Sequence, residues 1–180
     1  RIVEAVAKVC SAAASMVTGV DLSGRPIAFA ASPALAGRLM PKLAAGELQS
    51  AFALTERRAG SDVAGMASTA RPEGDAWVLN GVKRFISRAT VADLFIVVAR
   101  TEGTAGARGL SAFLVDRDTP GLRVGPVQPK LGWIGIPIAE VFLDEVRVPA
   151  DRMLGAEGQG FAIAQDTLVR ARIGHAAMAV

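Results

Sequence analysis

The sequence has one cysteine and one histidine in 180 residues. A single cysteine excludes an internal disulfide, and without a cluster of Cys and His no metal-binding spacing is present. Charge of one sign is also missing: 20 Lys and Arg stand against 17 Asp and Glu, a net of +3. The basic residues are scattered, so the stripe that phosphate-backbone binding requires is absent and nucleic acid is not expected as a partner. No apolar run approaches the roughly 18–20 residues needed to cross a bilayer, which predicts a soluble chain without a membrane span. The opening Arg1-Ile-Val-Glu-Ala-Val-Ala-Lys-Val-Cys10 carries Glu4 and Lys8 at helical spacing and no small-residue cleavage pattern, so it does not read as a signal peptide. It begins without Met, as a piece of a longer protein would. A reducing, cytoplasmic location is the expectation (mitochondrial matrix in a eukaryote). There is no internal repeat and no low-complexity tract.

A 51% hydrophobic content lets a chain of this length bury a sizeable core. Alanine content and spaced apolar positions predict a helix through about residue 18. A second is predicted over Pro33–Ala45, with Pro33 in its first turn and Gly46 at its end. From Gln49 to Pro149 the pattern changes to short β-rich runs separated by Gly, Pro and Asp. They are Trp77–Leu79, Lys83–Ile86, Leu94–Ala99, Ala112–Val115, Leu122–Val124 and Glu140–Leu143. Asn80-Gly81 lies between two of them and predicts a hairpin, because both residues tolerate positive φ. A long helix is predicted over Gln159–Val180. Strands without alternating helices indicate an α+β chain: an antiparallel β-barrel or sandwich middle domain flanked by α-helical segments. The expected boundaries are 1–48, 49–150 and 151–180.

One loop stands out chemically. Thr55–Ser61 follows the apolar run Ala51–Leu54, and its small residues let backbone N–H groups approach a flat ring or anionic oxygens. Taken alone, Ala-Gly-Ser-Asp reads more readily as a surface turn capped by Ser61 and Asp62. The fuller stretch Ala53-Leu-Thr-Glu-Arg-Arg-Ala-Gly-Ser-Asp-Val-Ala-Gly65, followed by Asn80-Gly-Val-Lys-Arg-Phe-Ile-Ser87, resembles the middle domain of the acyl-CoA dehydrogenases. There the segments usually read Leu-Thr-Glu-Pro-Gly-Ala-Gly-Ser-Asp and Asn-Gly-x-Lys-x-Trp-Ile-Thr. Gly109-Leu-Ser-Ala-Phe-Leu-Val115, Val141-Phe-Leu-Asp-Glu-Val-Arg-Val-Pro149 and Leu168-Val-Arg-Ala-Arg-Ile-Gly174 extend the resemblance from about Ala34 onward. A family member is normally about twice this length, so the chain looks like a middle portion.

The resemblance implies FAD-dependent α,β-dehydrogenation of an acyl thioester of CoA or a carrier. Electrons would pass to an electron-transfer flavoprotein, and a homo- or hetero-oligomer, dimer or tetramer, is expected. It places FAD against Phe52, Leu54, Thr55, Gly60, Ser61, Phe85, Ile86 and Ser87, and substrate against Ser61, Arg108 and Arg172. Phe85 stands where Trp is usual and keeps a stacking ring; Ser87 keeps the hydroxyl of Thr. The catalytic base is expected to be a Glu outside these residues, and no catalytic residue is assigned within them. His175, on an apolar helix, reads as a residue for packing or helix-surface hydrogen bonding and not as a general base.

Two segments depart from the pattern. Arg57-Arg58 replaces Pro-Gly and is open to two readings, a contact to phosphate of FAD, CoA or phosphopantetheine, or a solvated turn. Ile134-Gly-Ile-Pro-Ile138 replaces a polar loop. The same superfamily includes acyl-CoA oxidases and flavin monooxygenases, and a non-catalytic partner subunit that has lost flavin is a further alternative.

Overall fold

The computed structural model describes residues 1–179. The single helix expected through residue 18 is corrected to two, α1 (Ile2–Ala7) and α2 (Ser11–Ala30). The chain leaves the helix at Cys10, which is extended (φ −153°, ψ 106°), and α1 packs back on α2. The second helix continues through Gly19, Gly24 and Pro26 because it is held by burial: Ala14, Ser23, Gly24, Pro26 and Ile27 are all buried. Packing outweighs the propensity cost of those residues. Helix α3 (Pro33–Ala45) follows its local signals. Ser32 accepts a hydrogen bond from the Leu35 amide at its start, and Gly46 closes it in the left-handed region (φ 74°).

The strands are β1 (Ser50–Ala53), β2 (Thr69–Glu73), β3 (Ala76–Ser87), β4 (Leu94–Thr101), β5 (Leu110–Asp116), β6 (Leu122–Val124), β7 (Ile138–Pro149) and β8 (Met153–Leu154). The sheet runs β6-β7-β3-β2-β4-β5-β8, with β1 also pairing β4, and its ends do not meet. The α+β class holds, whereas the barrel alternative does not: the sheet stays open. Nor is it wholly antiparallel, since both β1 and β2 run parallel to β4. The long connections from those strands to β4 allow a parallel approach that a tight hairpin forbids.

The Asn80-Gly81 hairpin is also corrected. Both residues lie inside the continuous strand β3, at a register shift opposite β7. Asn80 bonds Glu145 twice, through its amide to the carboxylate (2.5 Å) and its carbonyl oxygen to the backbone N–H (2.9 Å). Gly81 is required by close approach instead: a Cβ there would sit 2.8 Å from Ser68 Cα. The turn itself falls at Gly74-Asp75, where Glu73 pairs with Ala76 and Gly74 has φ 63°.

β4 is buried on both faces, which is why it reads as an uninterrupted apolar run. Phe95, Val97 and Ala99 join Trp77, Phe113, Val141 and Val148 in one core. Leu94, Ile96 and Val98 face the other way, into a core with Ile27, Leu39, Leu43 and Ile163 from the helices. The last helix, α4 (Gly160–Met178), starts hard against β5. A Cβ on Gly160 would stand 2.6 Å from the Ser111 carbonyl carbon and 2.8 Å from its Cα. Gly160→Ala should therefore displace α4 and lower stability by about 2–4 kcal/mol, overpacking against backbone being harder to relax than against side chains. Denaturant unfolding checks this; a loss below about 0.5 kcal/mol would show that α4 shifts freely.

Candidate functional site

Strand β3 ends irregularly, and that irregularity builds the site. Between Lys83 and Ile86 it carries one residue more than β7, so Arg84 and Phe85 both turn outward while Lys83 and Ile86 point into the protein. Phe85 adopts φ 56° and Arg88 φ 62°, conformations that L-residues seldom take and that concentrate at functional sites. Phe85 is left 56% exposed, with the Arg84 guanidinium 5.2 Å from its ring centroid. The backbone N–H of Arg84 donates to the Thr55 carbonyl at 2.8 Å, joining the two sequence motifs.

A buried ion pair fastens the loop after β1 to the same strand. Lys83 is fully inaccessible and Glu56 only 7% exposed; Lys83 Nζ donates to Glu56 Oε1 at 2.7 Å and to the Leu54 carbonyl at 3.3 Å. The Glu56 carboxylate also accepts the amides of Ala67 (2.6 Å) and Ser68 (3.1 Å). One side chain thus holds both ends of the segment 56–68. Glu56 and Ala59 exchange backbone hydrogen bonds, so Arg57 and Arg58 form the exposed tip of a tight turn. Sequence motifs contained Glu56 and Lys83, but nothing local indicated that they meet.

Burial acts on both members of the pair. It would raise the Glu56 carboxyl, yet the Lys83 charge, its hydrogen bond and the two amides hold that group below its ordinary 4.5. Burial brings Lys83 down to about 8 despite the attraction of Glu56. Both remain charged at neutral pH. A carboxyl depressed by folding contributes stability that is complete above its unfolded value and is lost as pH falls through the folded one. The stability difference between wild type and Glu56→Gln should therefore shrink as pH drops from 7 to below 4.5. Thermal melts across that range test it; a constant difference would mean that Glu56 does not titrate with folding.

Phe52, Leu54, Thr55, Phe85, Ile86 and Ser87 line one cleft of about 210 Å³, closed on its other sides by α2, Trp133 and Ile136, and α4. Gly60 and Ser61 are exposed and are not part of its lining; Arg172 is exposed on α4, and Arg108 is the exposed residue of a single turn at 107–109. Two further residues enter from elsewhere. His175 lines the cleft with Nδ1 2.7 Å from the Ala171 carbonyl and its ring 6.3 Å from that of Trp133. Arg88, whose guanidinium burial pushes downward in pKa, lies at the cleft beside Ser23 and Gly19. Neither role had a local signal, because both depend on α2 and α4 packing over the end of β3.

An outward aromatic ring, flanked by the part-exposed Thr55 and the exposed Ser87, suits a flat aromatic cofactor with polar edges. The residues present therefore fit FAD. Among the described residues there is no group of three or more potential metal ligands, and no helix is long and apolar enough to cross a membrane.

Comparison with known proteins shows the family. The family model "Acyl-CoA dehydrogenase, middle domain" matches residues 51–146. A probable acyl-CoA dehydrogenase of Mycobacterium leprae is 39% identical over 172 residues, 95% of this chain and 44% of that protein. Among solved structures, butyryl-CoA dehydrogenase from Megasphaera elsdenii superposes with a TM-score of 0.94 at 37% identity, covering 98% of this chain and 47% of that one. A glutaryl-CoA dehydrogenase from Mycobacterium smegmatis, solved with FADH2, gives 0.84 at 36% identity, covering 92% and 42%. The chain thus spans about half the length of the relatives it matches. It belongs to the acyl-CoA dehydrogenase family.

Proposed function

We propose that the protein is an FAD-dependent acyl-CoA dehydrogenase and that these residues form its flavin and acyl-thioester platform, the catalytic carboxylate lying outside them. The observation that carries this reading is the convergence of Phe52, Leu54 and Thr55 with Phe85, Ile86 and Ser87 on one cleft, from motifs thirty residues apart in sequence. When bound, FAD supplies the acceptor for the hydride that leaves Cβ of the acyl group. Phe85 offers its ring for stacking, and Thr55 and Ser87 offer hydroxyls to the polar edges of the cofactor. Leu22, Leu54 and Leu168 shield the acyl chain from water, and the Glu56–Lys83 pair keeps the Thr55 loop in register with β3. Such fixed positioning is what a protein contributes to cofactor chemistry.

In the same reading residues 1–48 close an N-terminal helical domain, 49–150 are the middle domain and 151–180 enter a C-terminal helical domain. Gly60, Ser61, Arg108 and Arg172 would take their ligand roles once the remaining domains, or a second subunit of a tetramer, cover those exposed surfaces. An electron-transfer flavoprotein is the proposed electron acceptor, and the cytoplasm or mitochondrial matrix the location. The test is the visible spectrum of the purified protein before and after anaerobic addition of a panel of acyl-CoAs. Bleaching of the visible flavin absorbance is expected with at least one of them. A folded protein that neither carries nor takes up FAD would overturn the reading in favour of a flavinless partner subunit.

A further inference from the structure

Arg88 is 8% exposed and lines the cleft, yet none of the carboxylates among the described residues pairs with it. Its three recorded bonds are all made by Nη2: to the Gly19 carbonyl at 2.7 Å, the Ser23 hydroxyl at 3.0 Å and the Ser50 carbonyl at 2.9 Å. Among the described residues Nε and Nη1 donate to no protein acceptor, and neither is one of the fully buried, unpartnered side-chain atoms. Gly19 gives the guanidinium room, since a Cβ there would lie 3.2 Å from its carbon, tighter than an ordinary contact.

A buried cation without an acid partner is costly, and arginine does not escape the cost by losing its proton. A plain hydrocarbon chain in the cleft would offer the remaining N–H groups no acceptor. The neighbouring lining is polar as well: Ser15 and Thr18 carry hydroxyls, and His175, with Nδ1 engaged by Ala171, has Nε2 left for a ligand. An apolar pocket with a few convergent polar groups is how proteins fix the orientation of a ligand that has a polar end.

We propose that the cleft takes an acyl thioester whose acyl chain ends in a carboxylate, and that Arg88 is the specificity-determining residue that receives it. This rests on the acyl-thioester reading above. The planar fork of the guanidinium can present two N–H donors to one carboxylate, a charge-assisted geometry that a methyl terminus cannot exploit.

Matched CoA thioesters of equal chain length test the proposal: hexanoyl-CoA against adipoyl-CoA, and valeryl-CoA against glutaryl-CoA. Calorimetric binding is measured on the dithionite-reduced protein, where no turnover occurs, and again on protein stripped of flavin. Wild type should bind the carboxylated member of at least one pair about tenfold or more tighter, the scale of a charge-assisted bond. Arg88→Met should bring that ratio to one or below, while Arg88→Lys, which keeps the charge without the fork, should retain part of it. Wild type favouring the methyl-terminated thioesters would overturn the proposal without reference to any variant. So would an equal loss of both members in Arg88→Met, the mark of a clamp that merely ties α2 to β1. Failure to bind FAD, by contrast, would count against the dehydrogenase and leave the thioester ratio of the stripped protein readable.

Discussion

Lys83→Met is expected to lower the stability of the folded chain by about 3–5 kcal/mol, the cost of leaving a buried charge without its partner. For a protein of this size that is a fall in Tm of about 6–20 °C. The reason is specific to the site. Lys83 is fully enclosed, so water cannot replace it, and the Glu56 carboxylate would keep only the amides of Ala67 and Ser68. Methionine fills most of the lysine volume, so the effect measures the lost charge more than a cavity. Adding Glu56→Leu to Lys83→Met should recover a large part of the loss, because an apolar pair in the same space has no charge to desolvate. A double-mutant cycle by denaturant unfolding decides it: a single-variant cost under about 1 kcal/mol would place the pair in solvent and remove its role in holding the Thr55 loop.

Phe85→Ala should weaken FAD binding about tenfold to a hundredfold, as expected when a central aromatic contact of ~1.4–2.8 kcal/mol is removed. Phe85→Trp should preserve or strengthen it. The ring is held outward at a backbone conformation that is unfavourable for phenylalanine by about 1–3 kcal/mol. Phe85→Gly separates the two contributions, since glycine relieves the backbone but supplies no ring. Titration of flavin-stripped protein with FAD, followed by flavin fluorescence, should show Gly and Ala variants equally poor. If Phe85→Gly bound FAD as tightly as wild type, the strained conformation would have to serve something other than stacking.

Some elements were legible from short windows alone. Helix α3 carried its own start and stop in Ser32, Pro33 and Gly46, and β4 and β5 carried apolar runs with no competing period. The segments Phe52–Thr55 and Phe85–Ser87 were legible because two motifs marked them, and they do meet at one cleft, whereas Gly60 and Ser61 stay outside it. Asn80-Gly81 misled because a dipeptide that tolerates positive φ also suits a sheet irregularity. The same pair of residues serves a turn when the chain must reverse and a bulge when a neighbouring strand, here β7, continues alongside. The break at Cys10 and the extension of α2 to Ala30 were invisible for a similar reason, since buried contacts with the sheet and α4 decide where that helix runs.

The family, the α+β class and the two motif segments that meet at the cleft were determined by the sequence, since each is written in residue types a few positions apart. The openness of the sheet, the partner of Glu56 and the unpaired state of Arg88 were decided only by tertiary structure. Lys83 lies 27 residues from Glu56, and Arg88 lies 65 from Ser23 and 69 from Gly19. Whether a charge is solvated, paired or stranded depends on which surfaces close over it, and those surfaces come from chain segments that no local pattern connects.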